Sequence, residues 1–244
     1  VTSTVKPTVQ PDTLERLKEI TRRLNKRYGR RAPKQPESTT DPLDGLIETI
    51  LSQQNVDVVT HRMFLALKRS FPSWKHALEA GPHLIQAVLE ESRGGLSRIK
   101  ANYIHRLLVR LMESRNELSL EFLRDLPDLE VRTLLEALPG VGTKSASCVL
   151  MFDLGRAAMP VDTHIHRIAC RLRFVPDQTD AVQTEAWFDA ALPKHWKQRW
   201  EFHVNTIDHG RQTCRSQRPR CHECVLADLC PSAVSWEPEI RHGT

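Results

Sequence analysis

Four of the six cysteines fall in one short run near the C-terminus, Cys214-x6-Cys221-x2-Cys224-x5-Cys230. A disulfide framework belongs to small secreted folds rather than to a helical chain of 244 residues, so metal ligation is the better reading. Four thiolates suffice for an iron-sulfur cubane or for one tetrahedral zinc. Zinc sites usually pair two short Cys-x-x-Cys knuckles, and this run contains a single such pair. Between the first two ligands stand Arg215, Arg218 and Arg220. A loop clamped at both ends presents these charges rigidly, which lowers the ordering cost of phosphate contact. His222 reads as a solvent-facing residue inside the run, and the isolated Cys148 and Cys170 read as small buried hydrophobes.

The rest of the composition constrains less. A net charge of +5 and a pI near 9.0 modestly favour a polyanionic partner, but such a balance is also common on proteins that bind none. Residues 1–11 lack a basic-then-apolar signal pattern, and no apolar run approaches the roughly 20 residues needed to span a bilayer. The expectation is a soluble intracellular protein, in cytoplasm or nucleoid if the source is bacterial, with no membrane partner. The sequence opens on Val1 rather than Met and is silent on anything that precedes it.

Helical periodicity recurs along the chain and strand-like alternation is scarce, which predicts an all-α fold of many short helices. Residues 1–11 read as a disordered lead-in and residues 232–244 as a loose tail. Asp12 is expected to cap a helix carrying Leu14, Leu17, Ile20 and Leu24 and ending near Gly29, before a basic, proline-broken connector at 30–36. Asp41-Pro42 opens a second helix with Leu43, Leu46, Ile47, Ile50 and Leu51 on its stripe. Asp57 reads as the cap of a third, with Val58, Met63, Leu65 and Leu67. Further helices are expected over about 73–80, 83–91, 99–114, 119–125, 128–137 and 180–191. A last one, over about 195–209, carries Trp196 and Trp200 as core anchors.

Chemistry concentrates between Leu138 and Asp162. Leu138-Pro139-Gly140-Val141-Gly142 is a tight turn between a helix ending near Ala137 and a second running from Thr143 to Leu154. In this helix-hairpin-helix pattern the glycines remove bulk where the backbone approaches another molecule. The second helix then offers unpaired N–H groups and a positive dipole end, suited to gripping a phosphodiester without reading sequence. Lys144 sits beside that helix start, where an ammonium is disfavoured and a neutral, nucleophilic amine is favoured, though a plain phosphate contact is the alternative. Asp162, in Val161-Asp162-Thr163-His164, reads either as an N-cap or as a carboxylate that stabilises positive charge.

These motifs together resemble the endonuclease III branch of the helix-hairpin-helix DNA glycosylase superfamily. The likeness extends through Leu51-Ser52-x-Gln54 with Asp57, Gly95-Leu96 with Lys100, and His209-Gly210-Arg211-x-Thr213-Cys214, in the same order and at comparable spacing. The cysteine spacing likewise resembles that branch's [4Fe-4S] motif, with Cys214, Cys221, Cys224 and Cys230 as ligands. The resemblance implies that a damaged base is flipped out of the duplex while Asp162 stabilises an oxocarbenium-like sugar. Lys144 then attacks C1′ to form a Schiff base and permits β-elimination of the 3′ phosphate. Gln54 and Leu96 match the family's residues that fill and wedge the vacated gap. Leu138, Gly140, Val141, Gly142, Thr143 and His164 match its DNA contacts.

The chain departs from the family pattern in having Thr143 where a basic residue is usual and Ser145 where Thr is common. It also has His166 where an aromatic is common, and Asn55-Val56 where Ala-Thr is typical. The expected organisation is two helical domains with a DNA cleft between them. A helical barrel of 36–157 carries the hairpin, and a discontinuous domain of 12–35 plus 158–244 holds the cluster. The expected function is a monomeric bifunctional glycosylase and abasic-site lyase acting on oxidised pyrimidines in double-stranded DNA. The alternatives are a uracil or mismatch glycosylase with weak lyase activity, and a non-catalytic iron-sulfur DNA-binding paralogue.

Overall fold

The computed structural model describes residues 9–33 and 40–233; the expected disordered segment 1–8, most of the connector's end and the tail beyond 233 lie outside the described residues. Among those described every regular element is helical, as the periodicity predicts. No helix among them is long and apolar enough to cross a membrane. The chain divides into two compact units, one comprising Val1–Gln35 with Ala157–Thr244, the other Pro36–Arg156.

Helix α1 (Pro11–Tyr28) opens the first unit. Its N-cap is Gln10, with proline at the first position and Asp12 in the first turn, so the cap expected at Asp12 is displaced by two residues. Proline explains the shift: it brings a helical φ and has no N–H to leave unpaired. Val9, expected in the lead-in, packs against the core. Gly29 ends the helix at φ 66°, its N–H bonded to the Asn25 carbonyl, a left-handed stop that glycine adopts without a Cβ penalty.

The second unit runs α2 (Pro42–Ser52), α3 (Asp57–Ser70), α4 (Trp74–Glu91) and α5 (Ser97–Arg115), then a 3-10 turn at Glu121–Asp125, α6 (Asp128–Glu136) and α7 (Thr143–Cys148). α7 continues as a π-helical segment, Val149–Asp153. α2 lies centrally, packed on α3, α5 and α7, and buries Leu43, Leu46, Ile47, Ile50 and Leu51 completely. Asp41 caps it by accepting the Leu43 N–H at 2.8 Å, and the same oxygen accepts the Leu120 N–H at 2.9 Å. α4 is broken by Gly81 and Pro82, where the sequence places a boundary.

In α3 two expectations fail. The N-cap is Val56, with Asp57 the first helical residue. Val58 and Leu65 are exposed, because the buried face is Thr60, Met63 and Leu67. At about 100° per residue, positions 58 and 65 fall on the opposite side.

The first unit resumes with α8 (Thr163–Arg171), α9 (Ala181–Ala191) and α10 (Trp196–Gln212). Asp180 and Gln183 form a reciprocal capping box at the start of α9. α10 packs on α1 and α8. The core is pinned by stacked Phe174 and Trp187 at 4.9 Å and by Phe188 against Phe202 at 5.4 Å. Trp196 and Trp200 are only half-buried, so the aromatic anchors are Trp187 and its neighbours instead. Arg199 is 2 % exposed and pairs with Asp189. Its guanidinium also donates to the carbonyls of Pro193, Ala157 and Leu192, which makes so buried a charge tolerable.

Candidate functional site

The hairpin closes on itself by backbone bonds. The Leu138 N–H donates to the Leu135 carbonyl at 3.0 Å, and the Val141 N–H to the Leu138 carbonyl at 3.2 Å. Val141 tucks its side chain inward, at 8 % exposure. Gly140 has φ 78°, and a Cβ there would sit 2.6 Å from the Tyr103 ring, so both backbone conformation and space demand glycine. The Gln53 Nε2 donates to the Gly140 carbonyl at 3.0 Å and ties the turn to the end of α2.

Gly142 is the N-cap of α7 and brings no side chain to its first-turn amides. Thr143 and Lys144, both half-buried, form that turn. The helix start therefore presents backbone N–H groups and one amine together, an arrangement suited to an anion and an electrophile.

Gln54 and Leu96 stand at loop ends of the same unit. Gln54 follows the C-cap Gln53 and is exposed, with φ 55°; Leu96 is the N-cap of α5, 39 % exposed, with φ 59°. In the same unit Lys100 is wholly buried and donates to the Leu51 carbonyl at 2.7 Å. Burial pushes its ammonium down to about 8.

In the other unit Asp162 is the N-cap of α8, its Oδ1 accepting the N–H groups of His164 at 2.9 Å and Ile165 at 2.8 Å. The capping reading is thus correct as geometry, and it also fixes the carboxylate's orientation. His203 Nδ1 lies 3.0 Å from the Pro160 carbonyl and steadies the approach to this turn. Burial lowers the His164 imidazole below its ordinary range. Its Nδ1 lies 3.1 Å from the Arg167 guanidinium. His166 turns inward to the Thr179 carbonyl at 2.6 Å.

Arg167 links this turn to the cysteine run, donating to the Gly210 carbonyl at 3.1 Å and to the Cys214 carbonyl at 2.8 Å. Arg171 donates to the Arg215 carbonyl at 2.6 Å, to the Ser216 carbonyl at 2.9 Å and to Cys214 Sγ at 3.2 Å. Ser232, expected in the loose tail, is tied by its hydroxyl to the Arg171 carbonyl at 2.9 Å. Arg215, Arg218 and Arg220 are exposed, and Arg220 lies 3.7 Å from Glu223. His222 faces solvent, as expected. Sequence reasoning gave no roles to Gln53, Asn55, Tyr103, Arg167 or Arg171, because each acts through a partner distant in the chain.

The four thiols line one cavity with Ile168, Leu172, His209 and Leu226. All are unpaired as disulfides. Four thiols around one cavity are the donor set that an iron-sulfur cubane takes. Burial pushes the Cys224 thiol up to about 11 and raises Cys221 and Cys230 too, with the neighbouring sulfurs adding to the effect. Thiolates gathered at one site need a multivalent cationic centre to hold their charge.

Residues 47–194 match the family model described as HhH-GPD superfamily base excision DNA repair protein, and residues 214–230 match the iron-sulfur binding domain of endonuclease III. The chain is 32% identical over 215 residues to endonuclease III of Thermotoga maritima, covering 88% of this chain and 92% of that one. The chain belongs to the endonuclease III family. It is an endonuclease III-like DNA glycosylase of base excision repair, and its resident cofactor is a [4Fe-4S] cluster, as the cysteine spacing led one to expect.

A further relative, an Arabidopsis thaliana protein whose name suggests a DNA glycosylase, is 40% identical over 195 residues; the match covers 78% of this chain and 64% of that protein. Among solved structures, a non-covalent endonuclease III–DNA complex superimposes with a TM-score of 0.76 at 25% identity, covering 91% of this chain and 97% of that one. A trapped endonuclease III–DNA covalent intermediate matches with the same TM-score and identity and covers 98% of its own chain.

Proposed function

We propose that this endonuclease III family member removes oxidised pyrimidines from double-stranded DNA and then cleaves the strand at the resulting abasic site. One observation carries the reading. Lys144 stands on the first turn of α7 directly after a glycine cap without a side chain, so amine and unshielded amides share one helix end. The amides and the hairpin residues Leu138, Gly140, Val141, Gly142 and Thr143 grip the backbone phosphate, and Lys144 attacks C1′ of the deoxyribose. As the base departs, Asp162, oriented by its two N–H bonds, stabilises the positive charge on the sugar. The resulting Schiff base acidifies C2′–H. Loss of that proton expels the 3′ phosphate, and water then releases the lysine.

Gln54 and Leu96 fill the gap left by the extruded base. His164, Arg215, Arg218 and Arg220 contact phosphate. When bound, the cluster cross-links the loop that presents those arginines. The partner is duplex DNA with a damaged base or abasic site, engaged by a single copy of the chain inside the cell. That a relative in this family has been trapped covalently on DNA supports the lysine chemistry.

Borohydride reduction on abasic and thymine-glycol duplexes tests the proposal. A covalent adduct should form with the holoenzyme and fall by about three orders of magnitude in Lys144→Gln, as expected when a nucleophile is removed. Tight binding with no adduct on any lesion would overturn it.

A further inference from the structure

Gln54 and Leu96 both hold left-handed backbone conformations, at φ 55° and 59°, with side chains that disfavour them. Each such residue costs about 1 kcal/mol or more, so something must hold both loops in place. They lie on either side of α3 and α4 in the chain.

Asn55 spans them. Its Oδ1 accepts the Gly95 N–H at 3.0 Å, beside Leu96. Its Nδ2 donates to the Leu51 carbonyl at 3.0 Å, at the end of α2, and lies 3.1 Å from Met63 Sδ. Buried Lys100, one turn into α5, donates to the same Leu51 carbonyl at 2.7 Å. The two ends of the amide meet opposite chemistry, a donor on one side and a carbonyl on the other. That fixes which end faces which loop. Alanine, typical of the family pattern here, could make neither bond.

We infer that Asn55 is a positioning residue that couples the Gln54 and Leu96 loops into one rigid wedge, so that both side chains enter the duplex gap as a unit. The inference rests on the gap-filling role proposed above for those two residues. Pre-ordering both loops removes an entropy cost that would otherwise fall on the extrusion step. Gly95 belongs to the device: a Cβ there would lie 3.1 Å from Asn55 Oδ1, tight enough to push the bridge aside.

The test uses the cluster-loaded protein and a duplex with a tetrahydrofuran abasic analogue opposite 2-aminopurine, whose fluorescence rises when that base is unstacked. Asn55→Ala should slow the stopped-flow rise about tenfold, the effect of losing one well-made polar bridge, with affinity for undamaged duplex unchanged. Asn55→Asp keeps the acceptor for the Gly95 N–H and loses the donor to Leu51, and should recover part of the rate. Gly95→Ala should slow the rise in the parent and add nothing in the Asn55→Ala background.

A parental rate in Asn55→Ala, or effects of Asn55→Ala and Gly95→Ala that multiply, would overturn the coupling. Gln54→Ala and Leu96→Ala separate the two levels. If neither changes the signal, the gap-filling role itself fails, and the inference with it. If both slow it while Asn55→Ala does not, the bridge alone is wrong.

Discussion

The hairpin around Gly140 and the loop from Cys214 to Cys230 are both irregular segments with proposed phosphate contacts, yet different forces hold them. The hairpin anchors itself through buried Val141, two backbone bonds, the Gln53 amide and the Tyr103 ring under Gly140. The cysteine loop has only two single-turn 3-10 segments, Cys221–Glu223 and Ala227–Leu229. Its fully buried apolar anchor is Leu226, flanked by half-buried Val225 and Leu229. Charged donors from helices make up the difference: Arg167 and Arg171 hold its first carbonyls, and Arg23 donates to the Val225 carbonyl at 3.0 Å. A turn closed by its own backbone bonds over a buried side chain keeps its shape. A longer loop anchored at Leu226 alone among its fully buried residues needs guanidinium bonds and a metal cross-link besides.

If that contrast holds, the largest effect belongs to the ligands. Cys224→Ser should abolish absorbance at about 400 nm and destabilise the first unit by about 3–5 kcal/mol, read by denaturant unfolding, because metal binding is part of that loop's folding free energy. A loop that keeps its protease resistance without the cluster would break the comparison.

Gly140→Ala probes the self-supporting turn. The left-handed φ and the Tyr103 ring together should cost about 2–3 kcal/mol, with cluster absorbance unchanged, and Tyr103→Ala should restore part of the loss.

A smaller effect sits at the end of the π segment. Burial pushes the Asp153 carboxyl up to about 7, with Glu48 and Asp44 reinforcing the rise and Arg124 opposing it. Gly45 packs directly against this carboxyl. Since the folded state holds the proton more tightly than the unfolded chain, this stabilisation is complete below 3.8 and is lost as pH rises through about 7. Asp153→Asn should therefore be more stable than the parent at about pH 8 by roughly 1–2 kcal/mol, and level with it below about pH 4. Denaturant midpoints across that range decide it; a difference independent of pH would remove the titration from the account.

The smallest effect concerns the exposed loop charges. Arg218→Ala should lower the slope of log affinity against log salt by about one, with little change in stability. An unchanged slope would place that arginine off the DNA.

Much of the architecture was legible because local rules acted alone. Asp41-Pro42 starts α2, Gly29 stops α1 and Gly81-Pro82 breaks α4, each through backbone chemistry that needs no distant partner. The failures came where two local signals competed. Pro11 prevailed over Asp12, and the true face of α3 excluded Val58 and Leu65.

The hairpin turn, the Asp162 cap and the four-cysteine run were readable from spacing, because each is encoded within a few residues of the chain. Only the tertiary structure decided how they are held. Gln53 meets Gly140 across 87 positions, Asn55 meets Gly95 across 40, and Arg167 meets Cys214 across 47. A hydrogen bond depends on where two atoms lie in space. That is fixed by helix packing, to which a short stretch of sequence contributes only one side.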